Sequence, residues 1–192
     1  MLNKESMSTS ETNDAQDVVV EEKKKTSIWS AIADTCVTVG VGLIAGLLIM
    51  KFVFVMAIVP TGSMKPTIME GQRIGVMKIM KYSNIDYGEL LVFNGPADIR
   101  NENETKLLVK RVIGKGGDKI SIDNGVVYRN GEALDEPYVV YNQSYFMGEI
   151  TVPEDSYFVL GDNRANSFDS RYWQDKFVSS DDVVGTGLLF HK

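Results

Sequence analysis

The chain has 192 residues, 44% of them hydrophobic and 24% charged, which is enough for one ordinary domain with appendages. Its net charge of −6, from 20 basic and 26 acidic residues, argues against nucleic-acid binding because no basic field covers the chain. Cys36 is the only cysteine, and His191, next to last, is the only histidine. These counts exclude a disulfide framework and a cysteine or multi-histidine metal site, so we expect no cofactor and no metal. A chain terminus is a poor place to fix a catalytic imidazole, which argues against a Ser-His-Asp triad within the chain.

Residues 1–31 are predicted to be a flexible tail. Up to about residue 27 the sequence is polar and mixed in charge, and only Val18, Val19 and Val20 interrupt that polarity. Such a segment has too little apolar surface to offset the entropy lost on ordering it.

Residues 32–51 are predicted to be a transmembrane anchor. The stretch 35–50 contains no charged residue, and a helix needs roughly 20 mostly apolar residues to cross a bilayer. Asp34 would lie at one interface, and Lys51 would extend its amine to the other. A buried core helix and a cleaved signal peptide are the alternatives.

Basic residues decide the predicted orientation of this anchor. Lys23, Lys24 and Lys25 lie just before the apolar stretch, and lysine-rich flanks stay on the cytoplasmic side. We therefore expect a single-pass protein of the cell membrane, with its N-terminus in the cytoplasm and the residues after Lys51 outside.

Residues 52–192 are predicted to form a mainly β, antiparallel domain. Short runs rich in β-branched residues, such as KISI and YFVL, alternate with turn signals. Asn124-Gly125 and Asn130-Gly131 are strong hairpin signals, because both residues of such a pair tolerate positive φ. The segment KISIDNGVVYRNGEAL therefore predicts a hairpin followed by a second tight turn. No long helical periodicity is present outside the membrane segment.

Ser63 is the candidate nucleophile. Without a usable histidine or cysteine, activation of a serine by a lysine is one of the few routes to nucleophilic catalysis. Ser63 lies in PTGSMKPT, where two prolines and a glycine fix a tight backbone, and we expect its hydroxyl to be exposed on that bend. An ordinary loop serine is the alternative. The chain has neither a G-x-S-x-G nor an S-x-x-K pattern.

Lys110 is the candidate general base. It lies in the strand-like run KLLVKRVIG, and alternate residues of a strand share a face. Leu108 and Val112 therefore flank Lys110 on one face, and residues 107, 109 and 111 point the other way. Apolar surroundings lower the pKa of an amine from about 10.4 towards the working pH of a base. A half-exposed strand lysine is the alternative.

Two nearby cations compete with Lys110 for this role. Arg111 keeps its charge under essentially all conditions and cannot serve as the base. Lys65 is two residues from Ser63 but precedes Pro66 in a loop, where we expect it to be solvated and charged.

A third polar segment, residues 161–171, has the sequence GDNRANSFDSR. Side chains of this kind hydrogen-bond to their neighbours and hold a loop rigid. Asp169 and Arg171 are predicted to pair as a structural clamp, and a solvated turn is the alternative.

Together these segments resemble the motifs of the bacterial type I signal peptidases, which are membrane-anchored serine proteases with a Ser-Lys dyad. The anchor is followed in order by PTGSMKPT, GELLVFNGP, KRVIGKGGD and GDNRANSFDSR. The short chain with one span is similar to the Gram-positive members. One departure is Ala165, where relatives often have aspartate. A lysine at position 110, rather than a histidine, separates the chain from the endoplasmic-reticulum and archaeal types.

The resemblance implies a role for each matching position. Ser63 would be the nucleophile and Lys110 the general base. The Ser63 N–H and the Thr61 hydroxyl would form the oxyanion hole, and Ser167 would hydrogen-bond to the Lys110 amine. The remaining residues would support the site (Asp162, Asn163, Arg164, Asp169 and Arg171) or line shallow pockets for small substrate side chains (Met64, Ile68, Leu108 and Val109).

The implied activity is removal of N-terminal signal peptides from exported preproteins by acyl transfer, with the lipid bilayer as a second partner and no nucleic acid. Two alternatives are a specialised relative that processes pilin-type precursors and a non-catalytic, membrane-anchored assembly module. Soluble self-cleaving repressors also use a Ser-Lys dyad, but the membrane span and the lack of a DNA-binding region argue against them.

Overall fold

The computed structural model describes residues 28–78, 85–96 and 107–189. The first described element is one long helix, α1 (Ile28–Val53). Its stretch Ile28–Leu48 has a mean hydropathy of 1.9 and no part of it is buried in the protein. A helix that is apolar and uncovered over this length is suited to anchor the chain in a membrane. The helix includes residues 28–31 and 52–53, which we had expected in the tail and in the β-domain.

The predictions made for residues 1–27 lie outside the described residues. These predictions are the flexible tail and the position of the lysine run that sets the orientation. The single histidine, His191, also lies outside them.

Eleven strands follow α1 within the described residues. They are β1 (Phe54–Ile58), β2 (Arg73–Lys78), β3 (Leu90–Asn94), β4 (Leu107–Lys115), β5 (Lys119–Asp123), β6 (Val126–Arg129), β7 (Glu132–Ala133), β8 (Met147–Thr151), β9 (Ser156–Leu160), β10 (Val178–Ser179) and β11 (Val183–Leu188).

The strands form two antiparallel sheets. The larger has the order β1-β2-β11-β3-β4-β9-β10, and the smaller has the order β7-β6-β5-β8. Each strand pair runs antiparallel. The predicted fold class, mainly β and antiparallel behind one apolar N-terminal helix, is therefore confirmed.

Two Asn-Gly pairs make the tight turns of the smaller sheet. Asn124 and Gly125 have φ values of 47° and 82° between β5 and β6, and Asn130 and Gly131 have 54° and 85° between β6 and β7. Both pairs thus occupy the positive-φ region that favours these residue types in hairpin loops. The predicted hairpin and the following tight turn are confirmed.

Strand β4 contributes to all three apolar cores of the β-domain. Val109 packs in a first cluster with Met64 and Ile68, Val112 packs in a second cluster with Trp173, and Ile113 packs in a third. The third cluster joins residues of β4 and β9 to residues of β5 and β6, so it packs the two sheets together. The strand that carries Lys110 is therefore fixed on both of its faces.

Candidate active site

Ser63 lies in a short turn of 3₁₀ helix, Gly62–Met64. Asn163 binds this turn twice: its backbone N–H donates to the Ser63 carbonyl at 3.0 Å, and its Nδ2 donates to the Gly62 carbonyl at 3.0 Å. Ser63 is only 7% exposed. The expectation of an exposed serine is therefore wrong, because a segment a hundred residues further along the chain packs over the bend.

Gly161 allows Ser167 to approach this turn closely. A Cβ added at Gly161 would lie 2.1 Å from Ser167 Oγ and 2.6 Å from the Ser63 carbonyl oxygen. Ser167 Oγ is buried and has no hydrogen-bond partner among the described residues. The hydrogen bond expected between Ser167 and the Lys110 amine is thus not formed in this structure, and the serine leaves an unused hydroxyl beside the Ser63 turn.

Lys110 is held in β4 by apolar packing on the face predicted from its alternation. Leu108 and Val112 both pack in the second cluster, whereas Val109 packs in the first, on the other side of the strand. Lys110 is 3% exposed. Burial lowers its pKa from 10.5 to about 8, against the nearby carboxylates of Asp169 and Asp162, which raise it.

Ser63 and Lys110 line the same cavity, which has a volume of about 80 Å³. The other lining residues are mostly apolar: Ala57, Ile58, Val59, Pro60, Thr61, Ile74, Val92, Leu107, Leu108 and Val109. Thr61 Oγ1 lies 3.3 Å from Ser63 Oγ, so a second hydroxyl stands beside the serine. The cavity wall thus includes Ser63, Thr61 and a lysine whose pKa is lowered to about 8, among mostly apolar residues.

Asp162 is the centre of a charged network beneath the site. Its side chain is fully buried, and Arg111 binds it with two nitrogens, Nε donating to Oδ1 at 2.7 Å and Nη2 donating to Oδ2. The Thr67 hydroxyl donates to the same Oδ2. Arg111 Nη1 also donates to the Gly88 carbonyl at 2.6 Å. This fork fixes the backbone next to Asn163, because a bidentate arginine-carboxylate pair has one strongly preferred geometry.

Asp169 and Arg171 form the predicted clamp. Arg171 Nε donates to Asp169 Oδ1 at 2.8 Å, and Arg171 Nη2 donates to the carbonyls of Arg164 and Ser167 at 2.9 and 3.3 Å. Asp169 Oδ2 in turn accepts the Gly161 N–H at 3.0 Å. The pair therefore holds the whole 161–171 loop closed.

The family model described as signal peptidase, peptidase S26, matches residues 32–191, which is most of the chain. The chain belongs to this family. The signal peptidases of this family are serine peptidases, so the enzyme class predicted from the sequence is confirmed.

Several relatives are similar over most of this peptidase. A probable signal peptidase I-2 of Synechocystis is 35% identical over 91% of this chain and 80% of that protein. A signal peptidase I of Bacillus amyloliquefaciens is 38% identical over 78% of this chain and 83% of that protein. A crystal structure of a signal peptidase I from Enterococcus faecalis is 30% identical, matches 54% of this chain and 97% of that chain, and has a TM-score of 0.44.

Two of the four residues predicted to bind substrate line the cavity of this peptidase. These are Leu108 and Val109. Met64 and Ile68 are fully buried, are not among its lining residues, and pack in the first cluster. Val59, Ile74, Val92 and Val109 belong to both that cluster and the cavity wall, so Met64 and Ile68 support the wall from behind.

Lys65, the rival base, has a carboxylate partner of its own. Its Nζ pairs with Glu70 at 3.5 Å, and its side chain is 34% exposed. It is not among the residues that line the cavity. The placement of the two lysines therefore favours Lys110.

The sequence did not predict four members of the charged network around Asp162 and Arg164. Arg111 and Thr67 bind Asp162, and Glu136 and Tyr138 contact the arginines. For Arg111 the sequence offered one signal: strand alternation places its side chain on the face of β4 opposite Lys110, which separates its role from that of the candidate base. No sequence signal marks Glu136 or Tyr138, which lie in a turn-rich stretch between β7 and β8.

Proposed function

We propose that this chain is a signal peptidase I that removes N-terminal signal peptides from exported preproteins, with Ser63 as the nucleophile and Lys110 as the general base. One observation carries the proposal: Ser63 and a buried Lys110 line the same small apolar cavity. Burial brings the lysine pKa to about 8, so a useful fraction of the amine is neutral near physiological pH.

The reaction is acyl transfer in two steps. As Ser63 Oγ attacks the scissile carbonyl, the neutral Lys110 amine takes the hydroxyl proton. The resulting ammonium gives that proton to the leaving amine of the mature protein, and the signal peptide stays on Ser63 as an ester. Water then attacks the ester, Lys110 takes a proton from the water, and Ser63 Oγ regains its proton as the signal peptide leaves.

Thr61 and the loop 161–171 support these steps. The Ser63 N–H and the Thr61 hydroxyl donate to the oxyanion of the tetrahedral intermediate, which is supported by the 3.3 Å separation of the two hydroxyls. Ser167 offers an unused hydroxyl to the Lys110 amine when the substrate excludes water. Asp162, Asn163, Arg164, Asp169 and Arg171 keep the turn and the loop in place.

The overall reaction is tested by incubating a labelled preprotein with the full chain in lipid. We expect two products, the mature protein and the released signal peptide. A folded chain that leaves the preprotein intact would favour the non-catalytic assembly module, and cleavage confined to pilin-type precursors would favour the specialised peptidase.

The membrane anchor gives the enzyme access to its substrate. A preprotein is held in the same bilayer by the apolar segment of its signal peptide, so tethering both partners raises their effective concentration. The lysine run at 23–25 supports a cytoplasmic N-terminus and a β-domain outside the cell membrane, as the positive-inside rule predicts.

This orientation predicts a one-sided pattern of proteolysis. A protease added outside spheroplasts should digest the β-domain and leave an N-terminal fragment that contains Lys23, Lys24 and Lys25. The fragments are identified with tags at each end of the chain. Digestion of the β-domain only after the membrane is opened would reverse the proposed orientation.

The lining of the cavity predicts the preferred cleavage sites. Branched apolar walls such as Leu108, Val109 and Ile74 favour an uncharged side chain, and the resemblance to type I signal peptidases implies a small one. We expect cleavage after alanine, glycine or serine, with small residues also at the third position before the cut. Peptide substrates varied at these two positions measure kcat/KM. Efficient cleavage after phenylalanine or lysine would contradict the pocket assignment.

A further inference from the structure

A three-residue segment in the connection between two strands of the smaller sheet contacts Arg111 and Arg164. This segment, Glu136-Pro137-Tyr138, lies between β7 and β8, and we call it the brace. Glu136 accepts hydrogen bonds from Nη1 and Nη2 of Arg164 at 3.0 and 2.6 Å. The Tyr138 ring packs on Arg111, whose Cζ lies 3.9 Å from the ring centroid. Tyr138 OH donates to Glu136 Oε1 at 2.9 Å, which ties the two contacts together.

The two arginines contacted by the brace fix the backbone on both sides of Asn163. Arg111 binds the Asp162 carboxylate on one side, and Arg164 itself follows Asn163 on the other. Arg164 Nε also donates to the Gly161 carbonyl at 3.1 Å. Since Asn163 makes the two hydrogen bonds that fix the Ser63 turn, the brace is connected to that turn through two separate routes.

The charged side chains in this arrangement are largely buried, so the loss of any one contact is costly. The side chains of Arg164 and Glu136 are 3% and 9% exposed, and those of Arg111 and Asp162 are 12% and 0% exposed. Two cations alternate with two anions, and removing one member leaves a buried partner uncompensated. Burial, and then the Glu136 carboxylate, raise the pKa of Tyr138, so its hydroxyl stays protonated and keeps donating.

We propose that Glu136 and Tyr138 are positioning residues that hold the Ser63 turn in its reactive geometry through Arg164 and Arg111. The inference rests on the proposed function, since it assigns the brace to the reaction of that site. It also gives the smaller sheet a role in catalysis: its β7–β8 connection supplies the two side chains that lock the arginines. A misplacement of about 1 Å at a reacting group is enough to cost roughly a hundredfold in rate.

The kinetic test uses Glu136→Gln, Tyr138→Leu and Tyr138→Phe in the full chain, in lipid, well below the melting temperature. We expect Glu136→Gln and Tyr138→Leu each to lower kcat about tenfold or more and to change KM less than about twofold, because the cavity that binds substrate is intact. Tyr138→Phe keeps the ring on Arg111 and should lower kcat less than Tyr138→Leu. A kcat within about twofold of the parent in Glu136→Gln and Tyr138→Leu would overturn the proposal.

Two control variants separate positioning from loss of stability. Val127→Ala truncates a side chain of the third cluster in the smaller sheet, so it destabilises the same sheet without touching the arginines. Glu149→Gln removes an exposed partner of Lys119 in that sheet. Both should keep the parent kcat per folded molecule. An equal fall of kcat in Val127→Ala, at a matched loss of melting temperature, would show that the sheet acts only through stability and would overturn the proposal.

Hydrogen exchange provides a measurement that does not depend on cleavage. The Asn163 N–H donates to the Ser63 carbonyl, and the Asn130 N–H donates to Lys119 in the smaller sheet. In Glu136→Gln and Tyr138→Leu the Asn163 amide should exchange about tenfold faster, and the Asn130 amide should be unchanged. Unchanged exchange at Asn163 in both variants would overturn the proposal even if the parent cleaves preproteins. Faster exchange at Asn163 in an enzyme that does not depend on Ser63 would support the brace and refute the proposed function.

Discussion

Ser63→Ala is expected to abolish preprotein cleavage, with a fall in kcat of about 10³-fold or more. In the proposed mechanism, the substitution removes the atom that forms the covalent bond to the signal peptide. The Lys110 amine and the Thr61 hydroxyl remain, but neither takes over as the acyl carrier when Ser63 Oγ is missing. The measurement is the rate of mature protein formation at saturating preprotein.

The Ser63→Ala variant should keep its fold, so a loss of cleavage would report the missing hydroxyl and not unfolding. The hydrogen bonds that fix the turn use the carbonyls of Ser63 and Gly62, and alanine keeps both. The matched control is Ser121→Ala in β5, a half-buried serine of the smaller sheet, which should retain full activity. Substantial turnover by a folded Ser63→Ala enzyme would show that Ser63 is not the nucleophile.

Local patterns in the sequence were sufficient to predict the turns of the smaller sheet and the faces of β4. Asn124-Gly125 and Asn130-Gly131 adopt positive φ, because that preference belongs to the residues themselves. The alternation of Leu108, Lys110 and Val112 also follows from strand geometry alone. It ends at the bulge between Val112 and Gly114, where Ile113 enters the third cluster.

Long-range packing accounts for what the sequence did not predict. Ser63 is buried because Asn163 binds its turn, and the Nδ2 contact to Gly62 joins residues 101 positions apart. The order of the larger sheet is another example: β11, near the end of the chain, pairs between β2 and β3. No local pattern around Ser63 or in β11 contains this information.

Charged contacts between distant segments could not be predicted from the sequence either. A sequence pattern predicted that Asp169 and Arg171, two residues apart, would pair, and they do. Arg164 instead pairs with Glu136, 28 residues earlier, and Arg111 pairs with Asp162, 51 residues later. Burial selects those partners, because a charge removed from water needs an opposite charge in reach.

The pH dependence of cleavage is expected to report the titration of Lys110. Its pKa is lowered to about 8 by burial, and in the proposed mechanism only the neutral amine accepts the Ser63 proton. Below pH 8, kcat/KM should rise about tenfold per pH unit, and above it the rate should level off. Lys65→Met is the matched control, since a half-exposed lysine paired with Glu70 takes no part in proton transfer and its loss should leave the profile unchanged.

Lys110→Arg and Lys110→Met should both be inactive, with a loss of about 10³-fold or more. Arginine keeps its proton in proteins, so it preserves the charge of Lys110 without providing a base. Methionine preserves the apolar packing between Leu108 and Val112 without providing an amine. An active Lys110→Arg enzyme, or a folded Lys65→Met enzyme without activity, would refute the assignment of Lys110 as the base.

Burial of Lys110 should also make the free energy of unfolding depend on pH, which provides an independent check on that burial. The unfolded chain binds the Lys110 proton with the ordinary pKa of 10.5, and the folded chain binds it with a pKa of about 8. Between these values the unfolded state holds more protons, so the free energy of unfolding rises with pH across this window, by about 3 kcal/mol in all. Lys110→Met should remove this rise and should be more stable than the parent at pH 7, as measured by urea unfolding. Equal pH slopes in the parent and Lys110→Met would mean that the amine is solvated in the folded enzyme, and an amine that water keeps charged at neutral pH would be a poor base for Ser63.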